Sequence, residues 1–154
     1  MYMVTVNNFV INQATIRDLS SLRDLEEIAF PIDRWPLLEL IGVLTLPNII
    51  RLKAEADNQF VGFIAGDVRT KKKEAWITTI AVLPQFRRAG VATRLLQECE
   101  KRMDVQKILL SVRKGNLEAL SLYKRNGYIQ ENIWRNYYLD GEDAIVLQKD
   151  VDFI

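Results

Sequence analysis

Apolar residues along this chain alternate between a spacing of two and a spacing near 3.6, and that alternation restricts the fold more than composition does. Residues 9–14 read as a first strand. Thr15 then offers an N-cap with Asp18 three residues on, a carboxylate variant of the capping box. Ile16, Leu19, Leu22, Leu25, Ile28 and Ala29 follow at helical spacing up to about Phe30, where Pro31 ends the helix. A second helix runs from Trp35-Pro36 through Leu37, Leu38, Leu40, Ile41 and Leu44 to Pro47. Strands over 49–56 and 59–68 flank the tight turn Asp57-Asn58, and residues 70–73 turn the chain into a strand over 75–82. After a loop over 84–90, Val91, Leu95, Leu96, Cys99 and Met103 mark one face of an amphipathic helix. Residues 107–112 form a strand, and Asn116 caps a helix that Gly127 stops, with Tyr128 placed for the apolar contact of a Schellman motif. Strands over 128–139 and 144–151 flank the turn Asp140-Gly141. The order β-α-α-β-β-β-α-β-α-β-β implies a mixed α/β fold, a central mixed sheet flanked by helices on both faces. Its hairpins are antiparallel and the step across 91–103 is parallel.

The chain is 154 residues long, which suits one domain over 1–154. Lys plus Arg is 21 against 20 Asp plus Glu, a balance that argues against a broad electrostatic nucleic-acid binder. There is no histidine, so imidazole bases and His-built metal sites are excluded. The single cysteine, Cys99, excludes an internal disulfide, lies on an apolar helical stripe, and suits a reducing compartment such as the cytoplasm. Residues 1–4 lack the basic and apolar regions of a signal peptide. The most apolar stretch, 35–46, is interrupted by Glu39, Gly42 and Thr45 and falls short of the ~18–20 apolar residues a spanning helix needs. It reads as core, or as an aromatic wall of a substrate groove.

The chemistry concentrates at Ile80-Ala81-Val82-Leu83-Pro84-Gln85-Phe86-Arg87-Arg88-Ala89-Gly90-Val91-Ala92-Thr93. A strand ends, a short basic loop follows, and a helix opens at Gly90. The free N–H groups of a first helical turn, with its partial positive charge, make an anion site. The Gly-Lys-Ser/Thr ending of a nucleotide P-loop and the Gly-x-Gly-x-x-Gly fingerprint are both missing.

Arg87-x-x-Gly90-x-Ala92 after Ile80-Ala81-Val82 resembles the acyl-CoA pyrophosphate loop of GCN5-related N-acetyltransferases (GNAT). Asn116-Leu117-Glu118-Ala119-Leu120-Ser121-Leu122-Tyr123 followed by Gly127-Tyr128 is similar to the second signature of that family. Tyr137-Tyr138 followed by Gly141-Glu142-Asp143-Ala144 resembles its N-terminal (α-amino) acetyltransferases, of the bacterial RimI type and the NatA catalytic-subunit type with its archaeal relatives. The resemblance covers 77–151. It implies a GNAT fold, acetyl-CoA as cosubstrate without a metal, and protein or peptide N-termini as partners. It also implies that backbone groups of Ile80, Ala81 and Val82 align the pantetheine arm and acetyl carbonyl. The loop Arg87, Arg88, Ala89, Gly90, Val91, Ala92 and Thr93 would hold the pyrophosphate, and Asn116 would contact the pantetheine arm. Tyr123 would protonate the departing thiolate, and Tyr137 and Tyr138 would orient the substrate.

Elementary chemistry bears on those roles. Asn116 and Tyr123 fall on one helical face about 10 Å apart, which suits an extended arm. A phenol with pKa about 10 stays protonated at neutral pH and can donate to a thiolate. Adjacent tyrosines in one strand face opposite sides unless the strand bulges. Asp140, Glu142 and Asp143 read as turn formers that could equally rim a peptide entrance, and Lys71, Lys72 and Lys73 as a solvated turn or a ribosome or acidic-partner contact.

One position departs from the resemblance. Where RimI-type enzymes carry a glutamate base in a Leu-Glu-Val-Arg context, this chain reads Leu110-Ser111-Val112-Arg113. Ser111 can hold a water that relays the proton outward, with Glu26, Glu27 or Asp33 as receivers. An α-amine is roughly a tenth neutral at pH 7 and a lysine only about four parts in ten thousand, so a chain without a strong base favours the α-amine. Pro31-Ile32-Asp33-Arg34-Trp35 stands where the NatA-type relatives have Pro-Glu-Asn-Tyr; the resemblance implies that Ile32 and Asp33 bind substrate, while the relatives' substrate preference does not carry over. The alternatives are a GNAT enzyme acting on a lysine or small-molecule amine, and a catalytically silent acetyl-CoA-binding module. An auxiliary subunit is a further expected partner; nucleic acid and membrane are not.

Overall fold

In the computed structural model, which describes residues 8–151, the two periodicities resolve into seven strands and four α-helices in the expected order. The strands are β1 (Val10–Gln13), β2 (Ile49–Ala56), β3 (Gln59–Arg69), β4 (Glu74–Val82), β5 (Lys107–Arg113), β6 (Ile129–Trp134) and β7 (Ala144–Asp150). The helices are α1 (Leu19–Ala29), α2 (Leu37–Thr45), α3 (Val91–Lys101) and α4 (Leu117–Arg125). Hydrogen bonds link the strands in the order β1-β2-β3-β4-β5-β7-β6. The segment 1–4, read above for targeting, lies outside the described residues. Among the described residues, no helix is long and apolar enough to cross a membrane.

Two compact units make up the chain. The first comprises residues 8–67 and 78–103. Here β1 and β3 pair antiparallel with β2, and Asp57 and Asn58 both take the left-handed conformation (φ 51° and 63°) that a two-residue hairpin turn requires. Opposed residues on neighbouring strands share a face. Ala54 lies opposite Gly62, and a Cβ on Gly62 would stand 3.2 Å from Val91 and 3.0 Å from Leu95, so α3 covers that face. Arg51 points the other way, where its Nε donates to the Val43 carbonyl at the end of α2 (2.8 Å) and its guanidinium also reaches the Leu46 carbonyl. Helices therefore cover both faces, as the residue order implies. On α3 the stripe Val91, Leu95, Leu96 and Cys99 is buried, each leucine contributing roughly 1.5–3 kcal/mol.

Two expectations for this unit change in detail. The Thr15–Asp18 capping box forms, but it caps a 3₁₀ turn over Ile16–Asp18 and α1 begins only at Leu19. Ile16 and Ile28 are exposed; the buried stripe of α1 is Leu22, Leu25 and Glu26. An i, i+3, i+4 stripe from Leu22 puts a carboxylate, not Ile28, against the sheet.

The second unit comprises residues 68–77 and 104–151. The first residues of β4 pair parallel with β5 (Glu74 with Lys107 through Trp76 with Leu109), and β7 pairs antiparallel with both β5 and β6. Asn116 caps α4 by accepting from the Ala119 N–H (3.2 Å). The Schellman end forms as well: Tyr128 N–H donates to the Tyr123 carbonyl and Gly127 N–H to that of Lys124. The two tyrosine rings supply its apolar contact, edge to face at 5.7 Å.

The strand expected over 128–139 stops at Trp134. Asn136 turns left-handed (φ 52°) and its N–H goes to Asp143 Oδ1 (2.9 Å) instead of a ladder carbonyl. Tyr137 and Tyr138 consequently sit in a loop. The strand alternation argument does not apply to them.

Candidate active site

In the first unit, β4 delivers the chain to a 3₁₀ turn over Pro84–Phe86, pinned by Leu83 N–H to the Val61 carbonyl (2.8 Å). Arg87 is extended and its Nε folds back to the Val82 carbonyl (3.3 Å). Arg88 (φ 64°) and Gly90 (φ 82°) are both left-handed, which curls the backbone between β4 and α3. The glycine is needed for that φ, since a Cβ there would meet nothing within 4 Å. No side chain caps α3, as none caps α1 or α2, while side-chain oxygens cap the 3₁₀ turn at Thr15 and α4 at Asn116. The first intrahelical bond is Arg94 N–H to the Gly90 carbonyl (3.0 Å), which leaves the N–H groups of Val91, Ala92 and Thr93 for a ligand. Free donors, a helix N-terminus and the side chains of Arg87 and Arg88 fit a pyrophosphate. Ile80 is half-buried and Ala81 and Val82 are buried where β4 ends.

The same unit holds a feature that sequence reasoning raised only in passing. Glu26, 2% exposed, lies under the sheet, and the Thr79 hydroxyl donates to its Oε1 (3.3 Å). Its Oε2 is buried without a hydrogen-bond partner. Burial pushes the carboxyl up from an ordinary 4.5 to about 7, with the Thr79 bond and the Trp35 backbone pulling weakly the other way. Glu26 faces a cavity of about 180 Å³ lined also by Arg23, Glu27, Arg34 and Trp35. Ile32 is 76% exposed and Asp33 half-buried in the turn after α1. Glu27 pairs with Arg34 at the surface (3.5 Å).

The second unit carries Ser111, Asn116, Tyr123, Tyr137 and Tyr138. Ser111 is half-buried on β5 opposite Val146. Two residues on, Arg113 donates to both Asp140 oxygens (3.0 and 2.9 Å) and to Glu142 Oε1 (2.8 Å), while Glu142 Oε2 accepts from Gly115 N–H (2.8 Å). The Arg113 guanidinium also stacks on Tyr138, 4.0 Å from its centroid. The Glu142 N–H and Arg113 hold the Asp140 carboxyl below its ordinary range. Thus Asp140 and Glu142 are anchors that tie the Tyr137-Tyr138 loop to β5 and to the start of α4. No pattern in the sequence announced that role. Trp134, Tyr137 and Tyr138 pack in series, the first pair tilted and the second edge to face, with 5.1 Å between successive centroids. Asn116 spends its side-chain oxygen on the helix cap. Tyr123 is buried; desolvation, then the neighbouring Tyr138, push its phenol above the ordinary value, so it is fully protonated at neutral pH. Cys99 is buried and its thiol is pushed up to about 12, which makes it an inert core residue.

The first unit thus holds a strand–loop–helix turn with free backbone donors, and the second a buried phenol that is neutral at neutral pH. Residues 19–128 match the acetyltransferase (GNAT) family, and the chain belongs to it. It is 30% identical over 151 residues, covering 89% of this chain and 90% of the other, to the N-alpha-acetyltransferase of Sulfurisphaera tokodaii. It is 27% identical, over 92% of this chain and 77% of the other, to the N-terminal acetyltransferase A complex catalytic subunit NAA10 of Arabidopsis thaliana. The crystal structure of the ribosomal-protein-S18-alanine N-acetyltransferase from Escherichia coli superposes with a TM-score of 0.85 at 27% identity, covering 96% of both chains. Acetyl-CoA is the family's cosubstrate. Among the described residues, no group of three His, Cys, Asp or Glu side chains could hold a metal ion.

Proposed function

We propose that the chain transfers acetyl from acetyl-CoA to the N-terminal α-amine of proteins or peptides, as one GNAT domain over 1–154. The observation that carries this reading is the near full-length similarity to a protein named N-alpha-acetyltransferase. The chemistry of the chain supports it: the buried Tyr123 phenol keeps its proton at neutral pH, and the weakly basic α-amine needs little help to lose its own.

In this reading the α3 N-terminus, with Arg87, Arg88, Ala89, Gly90, Val91, Ala92 and Thr93, holds the pyrophosphate. Asn116 contacts the pantetheine arm. Backbone N–H groups beside Ile80, Ala81 and Val82 stabilise the oxyanion as the amine attacks the thioester directly in a ternary complex. Tyr123 gives its proton to the departing thiolate. Ser111 orders water near the amine, and Ile32, Asp33, Tyr137 and Tyr138 choose and orient the incoming N-terminus. Relatives named as complex subunits support an auxiliary partner, and the single buried thiol supports a cytoplasmic location.

The test is free-thiol release from acetyl-CoA with short peptides bearing free or blocked N-termini, including a blocked peptide that contains lysine. Turnover with free N-termini alone is the expected result. Turnover on the blocked lysine peptide moves the assignment to side-chain amines. Binding of acetyl-CoA without any turnover makes the chain a silent binding module.

A further inference from the structure

We propose that Thr79 and Glu26 form the proton exit for the substrate amine, Thr79 as the relay and Glu26 as the terminal acceptor. The inference rests on the acetyl-transfer reading above. Three observations carry it. First, Ser111 stands in the sequence where the RimI-type enzymes that this chain resembles carry a glutamate base, and a neutral serine is no terminal acceptor, so the nitrogen's proton requires another destination. Second, Thr79 is the residue directly before Ile80, Ala81 and Val82, the backbone assigned to the acetyl group, and its hydroxyl already donates to Glu26 Oε1 at 3.3 Å. Third, the second carboxylate oxygen is buried without a partner, on a side chain 2% exposed and facing a cavity of about 180 Å³. A core stripe position filled by a half-satisfied carboxylate opposes folding, which marks Glu26 for chemistry rather than packing.

The step balances as follows. The amine nitrogen bonds to the acetyl carbon, and the C–S bond breaks with its electron pair leaving on sulfur. Sulfur takes the Tyr123 proton. The nitrogen gives its extra proton to Thr79 Oγ1 as that hydroxyl passes its own to Glu26 Oε1. Glu26 then releases the proton through the cavity to water, and solvent returns one to Tyr123. The products are the acetylated amine and free CoA thiol.

The acceptor's titration is set by what faces it. Arg23, Glu27 and Arg34 line the same cavity, and Asp33 lies in the adjoining turn. Across that face of the sheet, Arg51 is engaged by the carbonyls of Val43 and Leu46, Lys53 by Asp18 and Glu55, and Asp67 lies opposite Ile49. Desolvation outweighs the hydrogen bonds from Thr79 and the Trp35 backbone and places the acceptor near neutrality, where a general base for an α-amine is most effective.

The experiment measures kcat against pH at saturating acetyl-CoA and peptide for the wild type, Glu26→Gln, Thr79→Val and Thr79→Ser. Acetyl-CoA affinity and thermal unfolding are recorded for each. The wild type is expected to lose activity below about pH 7. Glu26→Gln should lower kcat roughly 10²-fold and abolish that acid limb with acetyl-CoA affinity unchanged. Thr79→Val should cause a loss of similar size, and Thr79→Ser should restore kcat to within a few-fold. A folded Glu26→Gln protein with wild-type kcat and the same acid limb overturns the proposal. If Glu26→Gln does not fold, the Thr79 pair decides: equal loss in valine and serine variants, or none in either, overturns it. A wild type that acetylates no α-amine overturns the functional reading itself, a result separable from the others because it needs no variant.

Discussion

Replacing Glu26 with glutamine removes an ionisation that folding opposes, and the consequence for stability has a definite sign. In the unfolded chain this carboxyl loses its proton near 4.5; in the folded protein it holds it to about 7. Below about pH 4.5 both states are protonated and the group costs nothing. Between the two values the folded state binds more protons than the unfolded one, so stability falls as pH rises, and above about 7 the loss is complete. At 1.36 kcal/mol per decade the full loss is about 3 kcal/mol, of which about 2–3 kcal/mol accrues between pH 5 and pH 8. Glutamine keeps the shape and an acceptor for Thr79 but cannot ionise. Urea unfolding of the wild type and Glu26→Gln at both pH values should therefore show the variant gaining about 2–3 kcal/mol relative to wild type on going from pH 5 to pH 8. A stability difference that does not change with pH would refute the burial argument, because it would mean that the carboxyl titrates alike in both states.

Four other outcomes are expected. Tyr123→Phe keeps the ring contact with Tyr128 but removes the acid, so kcat should fall roughly 10²-fold while acetyl-CoA affinity by calorimetry is unchanged. Arg113→Ala releases Asp140, Glu142 and the Tyr138 ring, and should raise the peptide KM several-fold more than the acetyl-CoA KM; Arg113→Lys should restore little, lacking the planar fork. Gly90→Ala forces a side chain into φ 82° and should cost about 1 kcal/mol of stability and weaken acetyl-CoA binding, both readable by calorimetry. Cys99, buried and with its thiol pushed up to about 12, should react with a thiol reagent at pH 8 only after unfolding, and the reagent should leave activity intact.

Local patterns in the sequence account for what is local in the fold. Strand and helix order, the left-handed hairpin turn at Asp57-Asn58, the Asn116 cap, the Schellman end at Tyr128 and the apolar stripe of α3 each depend on residues within a few positions of one another. Patterns of period two or 3.6, caps and turn residues report such neighbours directly. The loop before α3 belongs with them, since Arg87, Gly90 and Ala92 lie within six residues of one loop and one helical turn. The length of β6 was not legible, because what ends it is a hydrogen bond from Asn136 to Asp143 across the loop.

By itself, then, the sequence determined the element order, the left-handed glycine that opens α3, the buried thiol and the absence of any histidine. The tertiary structure decided which carboxylates matter. Glu26 and Thr79 are 53 residues apart, and Arg113 meets Asp140 and Glu142 over 27 and 29 residues. At such separations nothing in residue spacing distinguishes a solvated carboxylate from a buried or paired one. Burial, which shifts one acid toward neutrality, and pairing, which holds another ionised, exist only once distant segments have come together.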